Sequence, residues 1–462
     1  MTCEIHEECG VFGVFNAKHA AELSYYALHA MQHRGQEGCG IVASDGETLR
    51  GHRNLGLVKE VFDQKQLDRL VGNNAIGHVR YATCGGSNHS NIQPFLYYHS
   101  TGDFALCHNG NIVNSRLLRE MFEKAGSIFQ STSDSEILAH LITKRAYGKR
   151  TDALLEACRQ LEGGFAFLVL TKDKLYAMRD RYGLRPLSLG KMGDGYVVAS
   201  ETCAFDVIGA EFIRDIKPGE LIKITSEGIE SSFYQEERLN KMCAMEYIYF
   251  SRPDSDINGI NIHLSRKAAG RQLAKECPCV ADIVIGVPDS SLSAANGYSE
   301  VSGLPLETGL IKNKYMGRTF IEPSQELRER GVKMKLSPIR SVVKDKRVVV
   351  IDDSIVRGTT SRQIVQMLRE HGAKEVHMRI ASPEMIAPCF YGVDTSTYEE
   401  LISAGNSVEK VREIIGADSL GFLSKEGLLK AVGASDLCMA CFDSKYPTPL
   451  FEDITKANKD GK

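Results

Sequence analysis

Three short stretches carry side chains that could do chemistry. "HEECGVFG", residues 6–13, sets Cys9 behind two glutamates and ahead of Gly-Val-Phe-Gly. A cysteine in that position is a buried filler, a metal ligand, or a nucleophile that is not yet at the N-terminus. In the third case, cutting the Glu8–Cys9 bond frees an α-amine with a pKa of about 7.7–8.0, able to take the thiol proton as general base. "VVVIDDSIVRGTTSR", residues 348–362, ends an apolar run in Asp352 and Asp353 and then gives Gly358, Thr359, Thr360 and Ser361. "CMAC" supplies Cys438 and Cys441, a spacing that suits a metal or an iron–sulfur cluster.

The second stretch reads as a phosphate cradle. Small residues let backbone N–H groups approach an anion, and a helix N-terminus adds donors and partial positive charge. Open α/β sheets bind ligands at the carboxyl ends of their strands. The paired carboxylates suit two adjacent sugar hydroxyls, or Mg²⁺ held together with a phosphorylated ligand. A helix-capping acidic turn does not explain why acids, glycine and a Thr-Thr-Ser run coincide, and this stretch has no G-x-x-x-x-G-K-[ST] pattern.

These stretches need elements to position them. The chain has 462 residues, 43% hydrophobic and 25% charged, which favours two or three globular domains. A net charge of −3 argues against nucleic acid or an anionic membrane as the main partner. No apolar run reaches the length of a membrane span, and "MTCEIHEE" lacks the basic and apolar regions of an export signal. A cytoplasmic location is expected. Thirteen scattered cysteines, an odd number, argue against a disulfide framework.

To about residue 235 the chain is rich in short strand-like runs, among them "GVFGVF", "AIGHVRYAT", "FALCHNGNI" and "GGFAFLVL", broken by glycine turns. "AAELSYYALHAMQHR" and "SDSEILAHLITKRAY" have helical spacing. The pattern predicts stacked antiparallel sheets with helices outside. From about 241, apolar runs such as "ADIVIGVPDSS", "RVVVIDDS" and "EVHMRIAS" alternate with helical ones, which predicts a parallel sheet covered on both faces. A boundary is expected near 235–245. The segment from about 396 is expected to be helical and then irregular.

"VVVIDDSIVRGTTS" closely resembles the phosphoribosyl-pyrophosphate (PRPP) signature of type I phosphoribosyltransferases. The resemblance implies that Asp352 and Asp353 hold the ribose hydroxyls, and that the loop through Ser354, Arg357, Gly358, Thr359, Thr360 and Ser361 holds the 5′-phosphate. "GVPDSS", residues 286–291, matches the pyrophosphate loop, with Ser290 beside Mg²⁺. Residues 311–337, with seven Lys/Arg against three Glu, would be the loop that closes over PRPP; on composition alone they are a solvated charged loop.

The first half resembles the class II, N-terminal-nucleophile (Ntn) glutamine amidotransferases in "QHRGQEG", "GHVRYAT", "CHNGNI" and "SDSE". That implies an αββα sandwich with Cys9 as nucleophile, and Asn109 and the Gly110 N–H as oxyanion donors. Arg80 would bind the glutamine α-carboxylate, Asp134 the α-ammonium, and Arg34 and Gly35 would line the pocket. Cys39 and Cys84 stand where small residues are expected and read as fillers. Together the halves are similar to the glutamine PRPP amidotransferase family, over essentially the whole chain.

On sequence alone "CMAC" lacks two thiolates. Cys243, Cys277, Cys279 and Cys389 are candidates, and zinc would serve as well as iron–sulfur. The Bacillus-type branch of the family implies a [4Fe–4S] cluster on Cys243, Cys389, Cys438 and Cys441, with residues 1–8 as a propeptide, 9–240 as the amidotransferase and 241–462 as the phosphoribosyltransferase. The family also implies feedback inhibition by purine nucleotides and a homotetramer. Two alternatives share one half each: a glucosamine-phosphate synthase, which would carry sugar-isomerase domains, and a PRPP-sensing repressor, which would carry a DNA-binding segment.

Overall fold

A computed structural model of the chain describes residues 9–81, 88–144, 148–236, 239–313, 336–393, 395 and 397–450. Thirteen strands of the first half form two sheets, one of seven strands and one of six. The described pairings in both are antiparallel, as the glycine-punctuated runs predict. The strand Gly10–Phe15 sits inside the larger sheet, between Asn74–Arg80 and Gly195–Ala199. Its register sets Gly10 opposite Val79 and Phe12 opposite Ala199. The residue that enters this strand, Cys9, is therefore delivered to the end of the Arg80 strand.

Alternation along the strands splits each sheet's side chains between two cores. Val11, Phe15, Ile76 and Val198 meet Ala105, Leu168, Ala177 and Ile222 from the other sheet. Phe12 and Val14 point the other way, onto the helix Ala20–Ala30. Phe165 and Phe167 of the smaller sheet pack outward with Ile137, Leu138 and Leu154 of the helices Glu136–Lys144 and Arg150–Gln160. The result is helix, sheet, sheet, helix.

The second half is built on four parallel strands in the order Ile283–Gly286, Arg347–Asp352, Glu375–Ile380 and Ser419–Phe422. In the second of these, Val349 and Ile351 face a core shared with the helix Ile262–Glu276. Val348 and Val350 face a core shared with the helices Thr359–Glu370 and Val408–Ile415. Burial on both faces explains why "VVVI" is continuously apolar rather than alternating. One expectation is corrected: the segment after 396 is not only helical and irregular, because Ser419–Phe422 is the fourth strand. Four half-buried residues at a sheet edge carry too little periodicity to announce themselves.

Most of the basic loop, residues 314–335, lies outside the described residues, as do Cys3, Cys84 and residues 1–8. The loop's two ends, Leu310–Lys312 and Leu336–Pro338, pair as an antiparallel ribbon. The chain passes between the two sheet systems through "MCAMEYIYF", residues 242–250, almost all of it buried. Among the described residues no helix is long and apolar enough to cross a membrane.

Leu168, fully buried between the two antiparallel sheets, tests this layering. Leu168→Ala should lower stability by about 2–5 kcal/mol, measured as urea unfolding by circular dichroism. A loss below about 1 kcal/mol, on the order of a surface change, contradicts the two-sheet core.

Candidate active sites

Cys9 heads the first strand. Its Sγ accepts a hydrogen bond from the Tyr81 backbone N–H at 3.4 Å and lies 3.5 Å from the Tyr81 carbonyl. Burial raises the thiol pKa, and the nearby Arg80 charge only partly opposes that. A buried thiol of this kind stays protonated at neutral pH and needs a base to become a nucleophile.

Two residues singled out in the sequence, Arg80 and Asp134, lie within electrostatic reach of it. Arg80 ends the neighbouring strand, and its Nη1 donates to the Asn91 carbonyl at 2.9 Å. Asp134 accepts from the Ile112 N–H at 2.8 Å, and both Arg80 and Asp134 act electrostatically on Cys9. Asn109 is fully buried on the strand Phe104–Ile112. Its Nδ2 lies 3.5 Å from Ser200 Oγ, and that same hydroxyl accepts from the Val11 N–H at 3.0 Å. Ser200 thus bridges the strand that Cys9 heads to Asn109.

Two glycines are required here by space. A Cβ on Gly35 would lie 2.6 Å from the Arg80 backbone carbon. Gly110 has φ +131°, and its Cβ would lie 2.0 Å from the Gly164 carbonyl oxygen.

Arg34, which the resemblance sets at the glutamine pocket, holds the backbone of Cys9. Its guanidinium is fully buried behind Cys9. Nε donates to the Cys9 carbonyl at 3.2 Å. Nη1 donates to Glu201 at 2.6 Å and to Glu246 at 3.0 Å, and Nη2 to Glu246 at 2.7 Å. Burial would push its pKa down, but Glu246 and then Glu201 hold it above the ordinary arginine value. Sequence reading missed Ser200, Glu201 and Glu246. A lone acid inside the apolar run "CAMEYIYF" was the available signal, since a buried carboxylate demands a partner.

The second site lies at the carboxyl ends of two adjacent parallel strands. Asp352 ends one, and Asp353 follows it. Ser290 donates to Asp353 at 2.5 Å, and Ser354 donates to the other oxygen of Asp353 at 2.6 Å. Ser291 lies 3.2 Å from Asp352. Burial pushes the Asp353 pKa up, against the hydrogen bonds from Ser290 and Ser354. Gly358 caps the helix Thr359–Glu370, which places Thr359, Thr360 and Ser361 in its first turn. Arg357, in the loop ahead of it, pairs with Glu400 at 2.5 Å.

Four cysteines meet where three distant segments are tied by backbone hydrogen bonds. Ala244 N–H donates to the Cys438 carbonyl at 3.1 Å, and Cys438 N–H to the Met242 carbonyl at 2.9 Å. Ile386 N–H donates to the Cys441 carbonyl at 2.9 Å, and Tyr391 N–H to Cys389 Sγ at 3.3 Å. Burial pushes Cys243 and Cys438 up to about 12, and neighbouring cysteines push the same way. As thiolates these four sulfurs would repel one another, so the group suits a cation-bearing centre that binds them in that form. Cys277 turns away, toward the Phe422 carbonyl at 3.5 Å. No three His, Cys, Asp or Glu side chains among the described residues form a ready single-ion site. The described cysteines are all free, and Cys39 is buried.

The family model for a glutamine amidotransferase domain matches residues 78–207, and that for a phosphoribosyl transferase domain matches residues 260–381. The amidophosphoribosyltransferase of Bacillus subtilis (strain 168) is 55% identical over 97% of this chain and 96% of its own. That of Staphylococcus aureus (strain Mu50) is 52% identical over 97% of this chain and 92% of its own. A solved structure described as the allosteric regulatory enzyme of purine biosynthesis superposes with TM-score 0.93 at 55% identity, covering 96% of this chain and 97% of that one. The B. subtilis glutamine PRPP amidotransferase, solved with ADP and GMP, gives TM-score 0.92 at 55% identity, covering 96% of this chain and 98% of that one.

Glu201 offers a test of the ionic core behind Cys9. Burial opposes its charge, yet His33 and Arg34 hold its carboxyl below the usual range. A lowered folded pKa means that its contribution is complete above the ordinary value of 4.5 and fades as the pH falls further. Glu201→Gln should therefore cost about 3–5 kcal/mol at about pH 7, with a smaller gap at about pH 4, read by urea unfolding. A gap that does not change with pH rules out the ionised carboxylate.

Proposed function

The chain belongs to the amidophosphoribosyltransferase family, and on that premise we propose how its residues divide the work. It is a glutamine-dependent transferase acting on PRPP, an enzyme of purine biosynthesis. Residues 1–8 are a propeptide, 9–240 the amidotransferase and 241–462 the phosphoribosyltransferase with its cysteine-bearing tail. The observation that carries this reading is the placement of Cys9. Its thiol heads the first core strand, held by Tyr81 and flanked by Arg80 and Asp134.

Removal of residues 1–8 frees the Cys9 α-amine, which takes the thiol proton. Arg80 receives the glutamine α-carboxylate as a fork, and Asp134 the α-ammonium. The thiolate attacks the side-chain amide carbon. The oxyanion that forms is met by Asn109 Nδ2 and the Gly110 N–H. Ammonia departs, and water releases glutamate from the thioester. Arg34 and Gly35 act from behind: one holds the Cys9 carbonyl, and the other lets the backbone pass against Arg80.

Ammonia then passes internally to the second site and displaces pyrophosphate from C1 of PRPP, giving 5-phosphoribosylamine. Asp352 and Asp353 hold the ribose hydroxyls. Ser354, Arg357, Gly358, Thr359, Thr360 and Ser361 hold the 5′-phosphate at the helix N-terminus. Ser290, Asp352 and Asp353 offer hard oxygen donors to one Mg²⁺, which neutralises developing pyrophosphate charge when bound. Positioning and charge stabilisation dominate this step.

Cys243, Cys389, Cys438 and Cys441 fit one [4Fe–4S] cluster, structural in duty, that staples the linker and the tail to the sheet. The nucleotides held by the B. subtilis relative support feedback inhibition by purine nucleotides. A homotetramer in the cytoplasm, without nucleic-acid or membrane partners, completes the proposal.

Cys9→Ala should abolish synthesis with glutamine and keep synthesis with added ammonia. Loss of both would mean that the half-sites do not separate as described. Intact-mass analysis of anaerobically purified protein should show the loss of residues 1–8 and the mass of four irons and four sulfides. A fully active chain that retains Met1–Glu8, or a single zinc, overturns the corresponding part.

A further inference from the structure

Glu246 lies in the buried segment between the two sheet systems, and its carboxylate meets Arg34 and Arg185 of the first half and Ser251 of its own segment. Its Oε1 accepts from Arg34 Nη2 at 2.7 Å and lies 3.7 Å from Arg185. Its Oε2 accepts from Arg34 Nη1 at 3.0 Å and from Ser251 Oγ at 2.6 Å. The Ser251 carbonyl in turn accepts from Arg266 Nη2 at 2.8 Å, and Arg266 Nε donates to the Tyr247 carbonyl at 2.8 Å. Arg266 is buried, and Asp353 is the foremost of the charges acting on it. A cavity of about 10 Å³, the size of one water, is lined by Arg266, Ser290, Ser291 and Asp353. Buried polar contacts thus run from the Cys9 carbonyl through Arg34, Glu246 and Ser251 to Arg266, which shares that water-sized cavity with Asp353 of the second site.

We propose that Glu246 is a positioning residue for Cys9, and that Ser251 and Arg266 tie its setting to Asp353. The proposal rests on the reading of Cys9 as nucleophile and Asp353 as a PRPP carboxylate. The guanidinium of Arg34 is held from two sides, by Glu201 and by Glu246, and its Nε grips the Cys9 backbone. Weakening one side lets the plane turn toward the other and releases or shifts the nucleophile. Displacements on the order of 1 Å at a reacting atom cost about 100-fold in rate. Glutamine affinity should respond less, because Arg80 and Asp134 are anchored elsewhere, on the Asn91 carbonyl and the Ile112 N–H.

The test uses the processed holoenzyme. In Glu246→Gln, glutaminase kcat should fall about 10- to 100-fold while KM for glutamine changes little. A purely structural role predicts a lowered melting temperature without that split. The second readout is alkylation of Cys9 by iodoacetamide, located by peptide mass, with and without Mg²⁺ and PRPP. The parent's rate should change at least about fivefold on adding Mg²⁺ and PRPP, the lower end of ordinary coupling. Glu246→Gln and Ser251→Ala should both lose that response. Ser251→Ala keeps the Arg34–Glu246 pair, so it decides the matter if Glu246→Gln does not fold. An unaltered kcat in Glu246→Gln, or a full response in Ser251→Ala, overturns the inference. If Cys9 resists alkylation and Cys9→Ala still uses glutamine, the reading of the nucleophile falls instead.

Discussion

The structure turns on a guanidinium buried out of solvent. Arg34 is buried directly behind the cysteine that heads the first strand, and it must be neutralised where it stands. Two carboxylates do this, one from each side. Glu201 follows the strand Gly195–Ala199 of the same sheet, whereas Glu246 comes from the segment that leads to the second half. Taking two such ions out of water costs several kcal/mol each, so neither is tolerated without the other. The segment carrying Glu246 is thereby pinned against the first half, and with it the start of everything that follows.

The same buried run, Met242, Cys243, Ala244, Met245, Glu246, carries one of the four grouped cysteines a single turn of chain ahead of the carboxylate. The ionic centre and the cysteine group therefore share one support. Backbone hydrogen bonds join this run to Cys438, and join Ile386 to Cys441. Arg185 extends the arrangement, because its guanidinium lies near Glu246 and donates to the carbonyl of Tyr391, close along the chain to Cys389. Charge, thiols and backbone are arranged around one short stretch of chain rather than in separate places.

The elements were largely legible in the sequence. The strands around "GVFGVF", "AIGHVRYAT" and "RVVVIDDS" stand where their apolar runs predict, because burial on one or both faces writes itself directly into residue type. Ser419–Phe422 escaped because a four-residue edge strand has almost no pattern to read. The pocket position of Arg34 was implied by family resemblance, and "HRG" by itself shows nothing of what its side chain touches. Its partners are 167 and 212 positions away.

By itself, the sequence determined which residue types could do chemistry and which local elements would carry them: a cysteine ahead of a core strand, paired acids at a strand end, glycine and hydroxyls opening a helix. Those properties are local, set by neighbours within a few residues. The tertiary structure alone decided which distant groups share one dehydrated space. It put Glu246 against Arg34, Ser200 between Val11 and Asn109, and four cysteines from three segments together. The physical reason is that burial and pairing of charge depend on proximity in space, which spacing along the chain does not record.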